Sequence, residues 1–254
     1  MSDYDRGFPR AVPAGAADMA VDAGLRGFML GVYNKVALGL LWSAILAFGI
    51  ANYPPVRDAF FVTDGAGHLM GVTALGATVR WAPLVVMLVA MFAMRNPSPR
   101  SASAIYWLMV SLIGASMSLF VMAFTAVSLT TTFLVTAAAF GGLSLYGYAT
   151  KRDLSGIGSF LLVGLVGIVI AMLVNMFLHS AMISFVVSVI GVLIFAGLIA
   201  FDTQRLKMTY YALGGNQAAL GVATSFGALS LYLDFINLFQ FLLMLFGGGG
   251  SSRR

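Results

Sequence analysis

Two aspartates stand within the apolar stretches of this sequence, where charged side chains are rare. Asp202 closes an apolar run at 181–201, and Asp234 lies inside a second run at 226–246. An ionisable group inside a membrane is costly and marks an ion or proton site by default. Two carboxyls that meet in a low dielectric do not both ionise readily, so they share a proton and titrate together. When ionised, they offer the hard oxygen ligands that suit Ca²⁺.

Asp234 belongs to a polar stripe on its own helix. Ser230 is four residues before it and Asn237 is three residues after it, so all three share one helical face. A polar stripe in an apolar helix must face other helices or a water-filled path. The stripe favours an ion or proton role for Asp234, and the alternative is a hydrogen bond that only locks helix packing.

Asp202 has two interpretations. Arg205 follows it by three residues and can pair with it, which is typical of an aspartate at the membrane interface with a solvated partner. However, the two helices that carry Asp202 and Asp234 are consecutive and antiparallel, so they can be neighbours. Helical rise puts Asp234 about 10 Å deep, a depth that Asp202 also reaches if its helix continues to Lys207. The sequence permits a carboxyl pair.

The amino-acid composition indicates that this chain lies mostly in lipid rather than in water. Of its 254 residues, 60% are hydrophobic and 9% are charged, where a soluble domain carries roughly 25% charged residues. These values exclude a soluble globular domain and a disordered chain. The absence of cysteine excludes disulfides and thiol nucleophiles, and all nine acidic residues are Asp. Basic residues are scattered between apolar runs, so we expect no nucleic-acid partner.

Seven apolar runs are candidate membrane helices; a crossing needs roughly 17–25 residues, and the run at 81–94 is shorter than this. Continuous apolar stretches exclude the alternating pattern of barrel strands, so the predicted fold is an all-α polytopic bundle of seven helices. The second run gives the weakest prediction of a membrane helix, and that helix begins further upstream if it includes residues 69–79. The alternative is a chain with six crossings, in which one run enters the membrane without crossing it. Residues 178–180 predict a tight hairpin. The runs span 36–52, 81–94, 104–124, 130–149, 157–178, 181–201 and 226–246.

The domain organisation and topology follow from these runs. We expect a cytosolic N-terminal tail at 1–35, a transmembrane domain at 36–246 and a flexible C-terminal tail at 247–254. With the N-terminus inside, ten of the fourteen Lys and Arg residues fall on the cytosolic side, as the positive-inside rule requires. Without a eukaryotic targeting signal, the chain is expected in the bacterial inner membrane, as a multi-pass protein.

Three stretches resemble the Bax inhibitor-1 family, also called transmembrane Bax inhibitor motif proteins. They are 150–155 (TKRDLS), 201–206 (FDTQRL) and 230–239 (SLYLDFINLF). The last is the most specific, because Asp and Asn within one long apolar helix are unusual. The resemblance covers roughly residues 30–246, and the compact loops are similar to those of the bacterial branch.

The resemblance implies a fold and a role for particular residues. The family fold is a bundle in which six helices surround a central seventh, and members are associated with a pH-sensitive Ca²⁺ leak. Asp202 and Asp234 match the family's aspartate pair, which acts as pH sensor and gate. Arg95 matches the arginine that interacts with the pair. Some members carry a further membrane Glu, which this chain lacks.

Two functional hypotheses remain open. The first is a calcium leak channel or Ca²⁺/H⁺ exchanger gated by the aspartate pair, with Ser230 and Asn237 in support. The second is a membrane adaptor that contacts a protease or stress regulator, with the aspartates serving in packing. An enzyme is not expected, because the two histidines, His68 and His179, fall in loops. We expect the lipid bilayer, Ca²⁺ and H⁺ as interacting species and no tightly bound cofactor.

Overall fold

The structure, a computed structural model, describes residues 14–64, 69–93 and 96–247. This part of the chain contains eight helices and one short two-stranded antiparallel hairpin. In chain order they are α1 (Ala14–Asn52), α2 (Pro54–Phe60), β1 (Phe61–Thr63), β2 (Leu69–Val72), α3 (Ala74–Ala93), α4 (Pro99–Ala123), α5 (Ala126–Ala149), α6 (Ser155–Leu178), α7 (Ala181–Ala212) and α8 (Gln217–Gly247).

Six of the described helices are long and apolar enough to cross a membrane: α1, α4, α5, α6, α7 and α8. The prediction of an all-helical polytopic membrane protein is therefore confirmed at this level. The remaining apolar helix is α3. Its apolar part, Ala74–Ala90, is shorter than each of the six candidate membrane spans. Seven full crossings remain a prediction.

The segment between α1 and α3 contains the short helix α2 and a β-hairpin, which the apolar runs do not predict. Strands β1 and β2 pair with Phe61 opposite Val72, and a bulge falls at Thr63. Thr73 joins this hairpin to α3, since its hydroxyl accepts from the Gly76 N–H and its own N–H donates to Phe60 O. This cap explains why α3 begins at residue 74, upstream of the predicted run.

The turns between the later helices are short and well capped. Ser98, Thr125 and Ser180 are N-caps whose hydroxyls accept from the backbone N–H three residues on. His179 ends α6 in the left-handed conformation, with φ of 51°, and Ser180 begins the next helix immediately. The predicted tight hairpin at 178–180 is thus confirmed.

Helix α1 begins well before the predicted membrane segment. The expected boundary between tail and membrane domain after residue 35 falls inside a continuous helix, and residues 1–13 lie outside the described residues. Leu25, Phe28 and Val32 are buried in the main hydrophobic core. Their spacing of three and four residues continues the buried face of α1 back through the segment that composition alone describes as polar.

Helix α8 is the most buried of the membrane helices and packs against α1, α4, α5 and α7. Its fully buried side chains include Leu231, Tyr232, Leu238 and Leu243. Helix α3 packs mainly on α4, and α6 packs mainly on α7. The last helix is therefore central, as predicted. Four helices pack directly against it, while α3 and α6 pack on the outside of these four.

Close helix contacts depend on glycine at two positions. A Cβ atom on Gly114 would lie 2.6 Å from Ser43 Cα, and one on Gly147 would lie 2.2 Å from Ala200 O. These approaches bring α4 against α1 and α5 against α7 at backbone distance. By contrast, Gly142 has open space around it.

The bundle has one end that carries most of the described basic residues. Helices α1, α4, α6 and α8 begin at this end, and α5 and α7 finish there. We call it the basic end. Two arginines, Arg57 and Arg80, lie toward the opposite end. The described basic residues toward the basic end are Arg26, Lys35, Arg100, Lys151, Arg152, Arg205 and Lys207.

Candidate functional site: a buried aspartate pair

The two aspartates singled out by the sequence meet between α7 and α8. Asp202 is 5% exposed and Asp234 is 6% exposed, so both carboxyls are removed from solvent and from lipid. Helices α7 and α8 pack closely along their length. Ser230 of α8, one turn before Asp234, bonds Asp202 of α7, which brings the two carboxyl groups together across the interface. The structure therefore makes the contact that the sequence permits.

Asp202 is well supplied with hydrogen-bond donors. The Ser230 hydroxyl on α8 donates to Asp202 Oδ2. Arg205 Nη2 lies 3.2 Å from Asp202 Oδ1 and 3.3 Å from Ser230 Oγ. The guanidinium also lies over the Phe201 ring, 5.7 Å from its centroid. The negative charge of Asp202 is thus balanced by a half-exposed arginine and a hydroxyl.

Asp234 is the unsatisfied member of the pair. Its Oδ2 atom is buried and has no hydrogen-bond partner within the described residues. Its carboxyl faces Asp202 and lies within electrostatic range of Arg205. A buried carboxylate without a donor is costly, whereas a protonated carboxyl can donate to a neighbouring carboxylate. One proton shared between Asp234 and Asp202 supplies the hydrogen bond that this geometry lacks.

The other predicted site residues differ in their placement. Ser230 joins the pair, as its position on the predicted polar stripe indicates. The Asn237 amide instead donates to Leu233 O, at 2.8 Å, within its own helix. Arg95 falls outside the described residues, so its role rests on the family resemblance alone. Arg205 is the arginine observed at the site.

A second polar network lies between α1, α4 and α8, and the sequence analysis did not find it. Lys35 Nζ donates to Ser225 Oγ at 2.8 Å and to Ser103 Oγ at 3.0 Å. Its ammonium also lies 5.3 Å from the centroid of the Tyr106 ring. Lys35 follows Phe28 and Val32 at helical spacing. This spacing could have predicted a buried position for Lys35, because it puts the lysine on the buried face of α1.

Two tyrosines extend these contacts among α1, α4 and α8, and their rings meet edge-on with centroids 6.4 Å apart. Tyr106 donates its hydroxyl to Lys35 O. The Ser43 hydroxyl hydrogen-bonds the Tyr232 hydroxyl at 2.7 Å and lies 3.1 Å from Val110 O. Tyr232 is two residues before Asp234, so these contacts fix the height and rotation of α8 at the level of the pair.

The oxygen donors at the pair are suited to transient cation binding. Two carboxylates and the Ser230 hydroxyl supply hard oxygen ligands. Across residues 14–64, 69–93 and 96–247, no cluster of three or more His, Cys, Asp or Glu side chains is present. A Ca²⁺ ion at the pair would complete its usual six to eight ligands with backbone oxygens or water.

These features define a class: a polytopic helical membrane protein with a buried carboxyl pair between its last two long helices. A family model described as "Inhibitor of apoptosis-promoting Bax1" matches residues 25–251. The chain belongs to the Bax inhibitor-1 family, as the three sequence motifs indicated.

Bacterial relatives cover almost the whole chain. An uncharacterized protein of Caulobacter vibrioides is 60% identical over 248 residues, which is 98% of this chain and 99% of the relative. The inner membrane protein YbhL of Escherichia coli is 40% identical over 226 residues, covering 89% of this chain and 93% of YbhL. The uncharacterized protein YrjE of Lactococcus lactis is 37% identical over 230 residues, covering 91% and 94% of the two chains.

Proposed function

We propose that this protein is a pH-sensitive calcium pathway, either a leak channel or a Ca²⁺/H⁺ exchanger, gated by Asp202 and Asp234. One observation carries the proposal: the buried Asp234 carboxyl has an oxygen without a donor and faces a second carboxyl across a helix interface. A packing contact alone would be better served by an amide at this position, because an amide supplies its own donor.

The gate works by competition between a proton and a cation. With one proton on Asp234, the pair is bridged by a hydrogen bond and α7 stays closed against α8. When that proton leaves, two negative charges face each other, and the interface must either open or accept a cation. Ca²⁺ therefore binds the ionised pair, and a falling pH displaces it. Arg205 contacts Asp202 at 3.2 Å and stays beside the pair in both states.

We further propose that the basic end faces the cytosol and that the membrane is the inner membrane. Seven described basic residues lie toward this end and two toward the other, as the positive-inside rule predicts for a cytosolic surface. The N-terminus is then cytosolic. The relative YbhL is an inner membrane protein, which supports the same membrane for this chain.

Helix α3 completes the proposed topology as the seventh crossing. It has 20 residues, so it is about 30 Å long and matches the thickness of the hydrocarbon core. It carries the exposed apolar side chains Leu84, Val85, Met87 and Leu88, which suit contact with lipid. Seven crossings place the beginning of α1 and the end of α8 on opposite sides of the membrane.

The direct test is Ca²⁺ flux into proteoliposomes at pH 6, 7 and 8, measured with a trapped fluorescent indicator. We expect flux above that of empty liposomes, rising from pH 6 to pH 8, because deprotonation supplies the cation-binding state of the pair. Protein that elutes as a single sharp peak but gives no flux at any pH would contradict the proposal. The adaptor hypothesis, in which a membrane protease or stress regulator is the partner, would then take its place.

A further inference from the structure

A gap opens between α1 and α5 near the basic end. Helix α1 packs on α4 and α8, while α5 packs on α7 and α8, and the space between α1 and α5 is a cavity of about 430 Å³. Its lining includes Arg26, Tyr33, Phe140, Gly141 and Tyr148. We call it the α1–α5 cleft. Its walls are mainly apolar, and its one charged lining residue is an arginine.

We propose that the α1–α5 cleft binds an anionic phospholipid, with the lipid phosphate at Arg26 and an acyl chain along the apolar wall. Arg26 is exposed at the cleft, and it makes no ion pair or hydrogen bond with the side chains that the structure describes, those of residues 23–64, 69–90 and 96–247. A basic group at the mouth of an apolar cleft between membrane helices suits a negatively charged headgroup above a hydrocarbon chain.

A second cation lies beside Tyr148, one of the residues that line the cleft. Lys207 on α7 donates from Nζ to Tyr148 O at 3.1 Å, and the ammonium lies 5.6 Å from the centroid of the Tyr148 ring. Lys151 and Arg152 follow the end of α5 and are exposed. The acidic residue of that loop, Asp153, is already engaged, since its Oδ1 accepts from the Ser155 N–H at 2.9 Å. The positive charge at the mouth is therefore available to a ligand.

The two tyrosines suit the headgroup level of a bilayer. Tyr33 and Tyr148 are half-buried on the two helices that form the cleft. Amphipathic aromatic rings are enriched where the hydrocarbon core meets the headgroups. Deeper in the cleft, the Tyr33 ring packs edge-on to Phe140, with centroids 6.4 Å apart. From the mouth of the cleft inward, the lining therefore passes from a charged residue to tyrosines and then to phenylalanine. A phospholipid has the same order, from its charged phosphate to its apolar acyl chain.

A neighbouring cavity shows what distinguishes the cleft. Further along the same helices, α4 and α8 also contribute to a larger apolar cavity of about 730 Å³, lined by Phe133, Phe235 and Phe239 among others. Its polar lining residues are Ser43, Asn52 and Thr130, and none of its lining residues is charged. Lipid chains can enter it, but it offers nothing to recognise a headgroup. Selectivity for an anionic lipid therefore belongs to the α1–α5 cleft.

Adjacent glycines on α5 provide a matched pair of variants. A Cβ atom on Gly141 or on Gly142 meets no atom within 4 Å, so a side chain can leave the backbone at either position without a clash at Cβ. Gly141 lines the cleft, whereas Gly142 is absent from its lining. The variant Gly141→Leu fills the cleft, and Gly142→Leu adds the same side chain to the next position. Arg26→Gln tests the charge separately.

The experiment is native mass spectrometry of delipidated protein in detergent, titrated with phosphatidylglycerol, phosphatidylcholine or inorganic phosphate. We expect phosphatidylglycerol to bind in preference to the other two. Arg26→Gln should weaken binding about fivefold, the effect of one basic residue near an anionic headgroup. Gly141→Leu should weaken it by roughly tenfold or more, because the side chain displaces buried acyl groups, while Gly142→Leu should bind as the wild type does.

Three results would overturn the proposal. Equal binding of phosphatidylcholine would remove the role of Arg26, and binding of inorganic phosphate as tight as that of the lipid would remove the role of the acyl chain. Equal binding by the Gly141→Leu and Gly142→Leu variants would place the lipid elsewhere. Because no part of this measurement depends on ion flux, its outcome is independent of the proposed calcium pathway.

Discussion

Replacing Asp234 with asparagine is expected to lower Ca²⁺ flux roughly tenfold to hundredfold and to remove its dependence on pH. Asparagine has the same shape as aspartic acid, and its amide can donate permanently to Asp202, as the protonated carboxyl does. The variant therefore holds the closed arrangement at every pH. The magnitude corresponds to the roughly 1.5–3 kcal/mol that a hydrogen bond to a charged group contributes. Flux measurements in proteoliposomes at pH 6, 7 and 8 check this expectation.

Asp153→Asn is the matched control for this substitution. Asp153 lies in the exposed loop between α5 and α6, and its carboxylate bonds Ser155 rather than either member of the pair. The backbone on both sides of it bonds Gln204 of α7, so this control also reports any effect of the loop on the helix that carries Asp202. Hydrogen bonds from the Ser155 hydroxyl and backbone N–H hold the pKa of Asp153 below its ordinary value. It therefore stays ionised throughout pH 6–8, and its replacement should leave the flux profile unchanged. A wild-type pH profile in the Asp234→Asn variant would show that Asp234 is a packing residue.

Gly147→Ala is expected to be the most destabilising conservative substitution in α5. Its new Cβ atom would lie 2.2 Å from Ala200 O and 2.9 Å from Ala200 Cα, so the backbones of α5 and α7 must move apart. Overpacking of this kind costs about 1–3 kcal/mol, which lowers the melting temperature of a chain of this size by roughly 2–12 °C. Thermal unfolding of the purified protein in detergent measures the shift.

Gly142→Ala on the same helix controls for the change in helix propensity. The added methyl group meets no atom within 4 Å, so the expected shift in melting temperature is zero or slightly positive. Ala200 lies two residues before Asp202, which means that movement of α7 in the Gly147→Ala variant also displaces the aspartate pair. Equal melting temperatures for the two alanine variants would show that α5 and α7 are not held at the observed distance.

The membrane helices could be predicted because lipid imposes a simple requirement on sequence. Long apolar runs without alternation must be helices, and α6 was predicted to within two residues at its start. The ends of helices that extend beyond the apolar runs were harder to predict. Helix α7 continues to Ala212 and α8 begins at Gln217, because their polar extensions still satisfy backbone hydrogen bonds and bury one face.

The aspartate pair could be predicted from residue type and spacing, but its hydrogen bonds could not. Asp202 and Asp234 stand out as charges within apolar runs, and Ser230 follows from the helical stripe. Asn237 lies on the same stripe, yet its amide binds its own helix backbone, a choice that depends on the local shape of the interface. The rotation of α7 decides that Arg205 reaches both Asp202 and Ser230.

The hydrogen bonds of Lys35 could not be predicted from the sequence. Its positive charge is already explained by the positive-inside rule, which requires no contact with another side chain. Only the packed bundle brings Ser103 of α4 and Ser225 of α8 to its ammonium. Such contacts join residues 68 and 190 positions apart in the chain, so no local pattern contains them.

The measurement that tests the central claim most directly is proton release on Ca²⁺ binding. Ca²⁺ is added to purified protein in weakly buffered detergent solution near pH 7, and the change in pH is recorded with a dye. Competition between Ca²⁺ and a shared proton predicts proton release by the wild type and none by the Asp234→Asn variant, with Asp153→Asn behaving as wild type. Release of the same amount of protons by the Asp234→Asn variant, or Ca²⁺ binding by the wild type without any release, would contradict the account.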